Sequence, residues 1–387
     1  QISFKPAATL ADYTDVGPGE VKRLSAEQSN TSIAVGEHML LKLYRRLQSG
    51  PHPEVEVARF LTEVAGFANT PPLLGTVEYT APDGSPTALA IVQRFLRNQG
   101  DAWSWLLNQL KRELDTIALI PPQETIQVED ALASLLQTVR TLGRRTAELH
   151  LAFATPTDDP AFSLEPMTID DVRVAADDAR RQGERAFAAV ARLTRQAEGP
   201  ARESMEALLE RREECWSLIG RCVEAPDGAV KTRIHGDYHL GQVLIVQNDV
   251  MIVDFEGEPS RPVDERRAKG SPLRDVAGML RSFAYVAETA ARDVDLHFAS
   301  RETDRLYEIA RAAHQLSRTA FLESYREVVE GTPIWTTDDR SRRNLLELHL
   351  LGKALYEINY EAGHRPDWID IPIQGVLSIL DHERSAS

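Results

Sequence analysis

The chain has 387 residues, 42% of them apolar, enough to fill one large core or two modest ones, and two lobes are expected. Acidic residues outnumber basic ones 59 to 44, and the formal net charge of -15 excludes nucleic acid and anionic membrane as general partners by repulsion. No stretch of about 18 apolar residues and no charged-then-apolar leader occurs, so a cytoplasmic protein is expected. Position 1 is Gln rather than Met, which reads as a trimmed, processed or excised chain.

Residues 1 to 19 read as irregular, closing on Gly17-Pro18-Gly19. Short β-like runs follow at Ser32 to Val35, Met39 to Leu43, Leu73 to Tyr79 and Thr87 to Phe95, separated by turn residues such as Gly36-Glu37-His38 and Pro82-Asp83-Gly84-Ser85. Pro53 to Gly66 is the one helical stretch among them, with Val57, Phe60, Leu61 and Val64 on one face. Residues 1–95 are therefore expected to form a small antiparallel-sheet lobe. Residues 96–387 are expected to form a helical lobe. Its helices are expected at Trp103 to Leu119 and Glu129 to Ala154, through residues 169 to 223 with a long exposed helix from Met205 to Val223, and from Asp275 onward. Cys215 and Cys222 stand about two turns apart on one helix, too far for a disulfide, and read as reduced.

The strand-like island of the second half carries the chemistry: R-I-H-G-D-Y-H-L-G-Q-V-L-I-V-Q-N-D-V-M-I-V-D-F-E-G-E from Arg233 to Glu258. Two β-branched runs joined by Gln247-Asn248-Asp249 read as a hairpin, which brings the loop before it and the residues after it to one end. His235, Asp237 and Gln242 lie on the loop, Asp254 and Glu256 at the exit. An H-x-D triplet alone is an ordinary loop. Joined to a hairpin and D-F-E, it suits a Mg²⁺–nucleotide site. Asp237 is expected to take the proton of a substrate hydroxyl, while Gln242 and Asp254 hold metal and Glu256 helps directly or through water. His235 either hydrogen-bonds substrate or shapes the loop.

Upstream, Lys42 sits in an apolar strand and needs a negative partner, which ATP phosphates supply. A helix carboxylate would aim it, Glu56 preferred and Glu54 second. Ser29, Asn30, Thr31 and Ser32, with their backbone N–H groups, are expected to bind phosphate oxygens in place of a Gly-rich loop.

These stretches resemble the maltokinases, bacterial enzymes of aminoglycoside-phosphotransferase-like kinase fold. The resemblance rests on E-Q-S-N-T-S at 27 to 32, L-K-L-Y-R-R at 41 to 46, N-Q-G-D-A-W at 98 to 103, H-G-D-Y-H-L-G-Q-V-L at 235 to 244 and D-F-E-G-E-P at 254 to 259. S-P-L-R-D-V-A-G-M-L-R-S-F at 271 to 283 and K-A-L-Y-E-I-N-Y-E-A-G-H-R-P-D-W at 353 to 368 extend it. It implies an α+β, bilobal protein-kinase-like fold and transfer of phosphate from ATP to the anomeric hydroxyl of maltose. It also implies Lys42 on the ATP phosphates, Asp237 as base, Mg²⁺ on Gln242 and Asp254, and adenine held by the backbone of Gln93 to Phe95. Such kinases carry an additional N-terminal cap, or follow a trehalose synthase to which they are fused in α-glucan metabolism. Here about twenty residues precede the first motif.

On the sugar side, Tyr356, Glu357, Tyr360, Glu361, Arg365 and Trp368 offer flat faces and paired hydrogen-bonding groups. Aromatics near a chain end commonly dock the last helix, and the resemblance tips the reading toward sugar. Arg274, Asp275 and Arg281 are expected to support the catalytic loop. Glucosamine or an aminoglycoside is the alternative acceptor, favoured by the acidic C-terminal helix. A non-catalytic fusion partner is a third reading, disfavoured by the intact set of Lys42, Asp237, Gln242 and Asp254.

Overall fold

The computed structural model describes residues 1–13, 19–24, 30–121, 124, 126–295 and 300–386. Six strands build one antiparallel sheet: β1 (Ile2–Pro6), β2 (Val21–Leu24), β3 (Thr31–Val35), β4 (Met39–Leu43), β5 (Leu73–Thr80) and β6 (Pro86–Arg94). Their spatial order is β1-β5-β6-β4-β3-β2. Helix α1 (Pro53–Arg59), prolonged by a π-helical turn over Phe60–Val64, packs on this sheet. The strand at the N-terminus departs from the expected irregular start. Phe4 is 78% exposed and Ile2 56%, so β1 is held by its backbone ladder to β5 rather than by buried side chains, and its pattern carries no core signal.

The alternation of a strand decides which side chains reach the cleft. Lys42 lies directly opposite Ser32 on β3 and Ile91 on β6. All three are buried, so an ammonium is placed in the middle of the sheet's inner face.

The rest is helical: α2 (Ala102–Ala118), α3 (Val128–Ala131), α4 (Ala133–Phe153), β7 (Glu165–Pro166), α5 (Ile169–Leu193), α6 (Gly199–Glu210), α7 (Arg212–Cys222) and β8 (Val230–Lys231), which pairs β7. Then come the hairpin strands β9 (Val243–Val246) and β10 (Asp249–Ile252), α8 (Val263–Arg267), α9 (Leu273–Asp295), α10 (Ser300–Val329), α11 (Asp339–His364) and α12 (Asp370–Ala386). The long helix expected over Met205 to Val223 is two helices broken at Arg211. It is not an exposed rod: Met205, Leu208, Cys215, Leu218, Ile219 and Cys222 all face a core shared with α5, α11 and α12. Both cysteines are buried free thiols. Among the described residues no helix is long and apolar enough to cross a membrane.

The hairpin is tied to the sheet lobe. Gln99 N–H donates to the Ile245 carbonyl at 2.8 Å and Ile245 N–H to Gly100 at 3.0 Å, while Asn69 bonds both Ile252 N–H and the Val250 carbonyl. A two-residue turn closes the hairpin, with Gln247 at φ +57°, and the Asp249↔Val246 register then fixes where the strand exit falls.

Close helix crossings are paid in glycine. A Cβ on Gly143 of α4 would stand 2.5 Å from the Phe321 carbonyl oxygen of α10, whereas one on Gly363 of α11 would meet open space. Gly143→Ala should therefore lower stability by about 1–3 kcal/mol through forced separation of the helices. Gly363→Ala should be neutral or raise it by up to about 1 kcal/mol. Thermal melts that failed to separate the two variants would contradict the crossing.

Candidate active site

The loop from Thr232 to Gln242 is shaped by a buried carboxylate. Asp275 of α9 accepts hydrogen bonds from the backbone N–H of His235 (2.7 Å) and Gly236 (2.9 Å) and lies 3.3 Å from His150 Nε2. Burial alone would raise its pKa, but the hydrogen bond and charge of His150 and the loop's amide hold it below the usual value of 3.8. The expectation that Asp275 supports the loop therefore holds in geometry. Arg274 reaches the Gly236 carbonyl at 3.5 Å and Glu258, whereas Arg281 turns away from the loop and binds Glu357.

His235 is 1% exposed, its Nε2 3.0 Å from the Val253 carbonyl and its Nδ1 facing the Asp237 N–H, with its ring between Tyr238 and Phe255. It cannot touch a substrate; of the two readings the structure leaves loop shaping. Asp237, by contrast, opens into a cavity of about 610 Å³. Its Oδ1 stands 3.6 Å from Lys353 Nζ, and that ammonium lies 4.9 Å from the centroid of the Tyr356 ring.

Where the hairpin exits, Lys42 Nζ meets three carboxylates: Glu54 at 3.1 Å, Asp254 at 2.7 Å and Glu256 at 2.8 Å. The preferred partner Glu56 is corrected to Glu54. Two residues on a helix are about 200° apart, so only one of the pair faces the sheet. Glu54 does, and is 2% exposed, taking a second bond from Tyr44 OH at 2.8 Å. Glu56 points to Arg267 (2.7 and 2.8 Å) and Arg233 (3.2 Å). Burial would depress the Lys42 ammonium, but the three carboxylates raise its pKa well above the usual value. Burial, with repulsion from Asp254 and Glu256, pushes Glu54 up to about 7 against the pull of Lys42.

One ammonium among three carboxylates leaves negative charge in excess. One oxygen of each of Glu54, Asp254 and Glu256 lies within 4.8 Å of the others, a hard-oxygen set that fits a divalent cation. Gln242 bonds the Asp254 side chain and so sits beside this set, while Glu54, absent from the expected ligands, belongs to it. Asp254 is held at φ +67°, a strained conformation for a side-chain-bearing residue that aims its carboxylate at Lys42.

Of the hydroxyl-rich run, Ser29 lies outside the described residues. Asn30 Nδ2 donates to Glu256 at 2.6 Å, Thr31 starts β3, and the buried Ser32 Oγ has no partner among the described residues. The N–H groups of Arg94 and Phe95 are already donated to the Pro72 and His38 carbonyls, so these sheet bonds leave neither for adenine; Gln93 is buried in β6.

The expected sugar cluster is mostly dispersed. Only Tyr356 lines the cavity, with its hydroxyl bonded to Glu258. Glu357 is bound by Arg281 at 2.8 Å, and Glu361 by Tyr285 at 3.1 Å and Arg365 at 2.7 Å. Tyr360 stacks on His364, and Arg365 stacks on Trp368. These groups dock α11 onto α9 and the chain end. The cavity instead follows α11 backwards from Tyr356 through Lys353 and Gly352 to His349, and α5 through Asp171, Ala175, Asp178 and Gln182. Both are stripes at helical spacing, which is the signal that could have revealed them.

Two outcomes follow from these partnerships. Glu56→Gln removes the carboxylate partner of the buried Arg233 and should cost about 3 kcal/mol; an unchanged midpoint in denaturant titration would contradict the pairing. Because the Asp275 pKa is depressed on folding, its stabilisation is present above the unfolded value near 3.8 and lost as pH falls through the folded value. The Asp275→Asn deficit should be full at neutral pH and shrink in acid, and a deficit independent of pH would contradict the ionised cap.

Known proteins resemble this chain in sequence and in fold. The chain is 29% identical over 378 residues to a glucosamine kinase of Mycolicibacterium smegmatis, covering 97% of this chain and 84% of that one. It is 26% identical over 377 residues to a glucosamine kinase of Streptacidiphilus jiangxiensis, covering 97% and 77%. A solved glucosamine kinase in complex with glucosamine, ADP and inorganic phosphate superimposes with a TM-score of 0.75 at 22% identity, over 98% of this chain and 79% of that one. The bilobal kinase-like fold expected from the sequence is thereby shared, while a maltose acceptor and a trehalose synthase partner find no support in these relatives. The profile of the phosphotransferase enzyme family matches residues 20–312, and the chain belongs to that family.

Proposed function

We propose that this phosphotransferase transfers the γ-phosphoryl group of ATP to an amino sugar, with glucosamine the first acceptor to test. The observation that carries the reading is Asp237 lining the cavity from the loop before the hairpin while Lys42 and its carboxylates gather where the same hairpin exits. In the proposed reaction an acceptor hydroxyl oxygen bonds to the γ-phosphorus and its proton passes to Asp237. The bond to the β–γ bridging oxygen breaks, and ADP leaves with that electron pair. Lys42 binds phosphate oxygens. Glu54, Asp254 and Glu256, with Gln242 beside them, would hold Mg²⁺, whose charge would neutralise the phosphates. The 3.6 Å spacing from Lys353 leaves the Asp237 oxygens room to accept from the hydroxyl.

An amino sugar is supported by the names of the relatives; the wall carboxylates Asp171, Asp178 and Glu258 are already paired with Lys231, Arg261 and Arg274. Maltose is the second reading. It is favoured by Lys353 and Tyr356 of the K-A-L-Y run on that wall and by a volume generous for a single ring.

Incubation with ATP, Mg²⁺ and glucosamine, maltose, glucose or an aminoglycoside, followed by ³¹P NMR, is expected to give a phosphorylated glucosamine. Phosphate on maltose alone would replace the acceptor and keep the mechanism. Asp237→Asn should lower kcat by about 10³-fold with ATP affinity retained, and full activity in that variant would remove Asp237 from the reaction.

A further inference from the structure

We propose that Arg266 is a positioning residue for the transfer: its guanidinium fixes the backbone of Glu256 and so holds that carboxylate on Lys42 and on the cation beside it. The inference rests on the reading of Glu54, Asp254 and Glu256 as the cation-holding set given above.

Glu256 stands in a turn whose shape is set from outside. Asp254 lies at φ +67° and Gly257 at φ +70°, so the chain bends sharply on both sides of the residue. Its carboxylate reaches Lys42 at 2.8 Å and accepts from Asn30 at 2.6 Å. Its carbonyl accepts from Arg266 Nη1 at 3.0 Å. The stem of Arg266 lies against Gly257, where a Cβ would stand 3.2 Å from Arg266 Cβ and 3.4 Å from Cγ.

The same guanidinium crosses to the sheet lobe, where Nη2 donates to Gln48 Oε1. Gln48 lies two residues before Gly50, whose N–H bonds the Pro86 carbonyl and so joins this connection to β6. One planar fork therefore links the turn after Asp254 to the lobe that carries Lys42, and a guanidinium is the side chain that donates in several fixed directions at once. Its seat on α8 is itself held. Arg267 binds Glu56 of α1 at 2.7 and 2.8 Å, and Arg233 donates to the Arg267 carbonyl at 2.9 Å. Since Glu54 is on the other side of α1, helix α8 grips the bearers of two of the three carboxylates, Glu256 directly and Glu54 through α1.

Arg266→Met keeps a stem on Gly257 and removes both bonds. With ADP bound, its affinity for Mg²⁺ should fall about 10-fold, while its affinity for ADP without metal stays within about twofold. Its kcat should fall by about the same factor at limiting Mg²⁺ and recover in excess Mg²⁺, with acceptor KM unchanged. Arg266→Lys, whose ammonium can reach the carbonyl alone, should recover part of the Mg²⁺ affinity. In a Glu256→Gln background Arg266→Met should add less than about twofold, because the carboxylate it positions is gone. Wild-type Mg²⁺ affinity in Arg266→Met would overturn the proposal. So would a loss matched by metal-free ADP affinity, or one that persists in full beside Glu256→Gln; either makes the arginine a general brace. Asp254→Asn run alongside isolates the premise. Wild-type Mg²⁺ affinity there would sink the reading of the carboxylate set, whereas a loss there with Arg266→Met intact would remove Arg266 alone.

Discussion

The structure turns on a single buried ammonium. Lys42 comes from the sheet, Glu54 from the helix above it, and Asp254 and Glu256 from the far lobe, so one positive charge joins three pieces of chain distant in sequence. A buried charge persists only where partners surround it, and losing one partner of such a group costs about 3–5 kcal/mol. The lobes are thus registered to each other by electrostatics at the point where phosphate chemistry would occur. The sheet supplies rigidity and the strained Asp254 supplies direction.

A second fixed point organises the other half of the site. Asp275 is sealed in the helical core, yet it faces two backbone amides of the catalytic loop. The loop's conformation is therefore dictated by a helix packed on all sides, and Gly278 on that helix approaches so closely that a Cβ would stand 2.4 Å from the Tyr238 carbonyl oxygen. His235 completes the arrangement from within, tying the loop to Val253 just before Asp254. Asp237 is left as the carboxylate of the loop that reaches the cavity, because its neighbours are all engaged in holding it there.

What the sequence disclosed follows from the range of the forces involved. The hairpin β9–β10 and the helix at Pro53 are local patterns of β-branching and turn residues, and they read correctly. The choice between Glu54 and Glu56 depends on how a helix is rotated against a sheet, which two adjacent acidic residues do not declare. The sugar cluster is dispersed for a similar reason. Tyr360, Glu361, Arg365 and Trp368 have the composition of a binding surface, but their energy goes into docking α11. Lys353 and Asp178 were visible only as members of helical stripes, and their importance appears once α5 and α11 are seen to face one cavity. Strand β1 left no trace in the pattern because a ladder of backbone hydrogen bonds has no side-chain signature.

That strand also carries a liability of its own. As the outermost member of the sheet it presents an unpaired row of backbone groups beside two exposed apolar side chains, Ile2 and Phe4, the combination that recruits foreign strands into aggregates. Two residues limit the hazard. Pro6 has no N–H to offer an incoming chain, and Lys5, bonded to Glu78 at 2.5 Å, places charge on the rim where a flat apolar ribbon would otherwise run. This edge of the sheet is therefore guarded by the last two residues of its first strand, although neither touches the site.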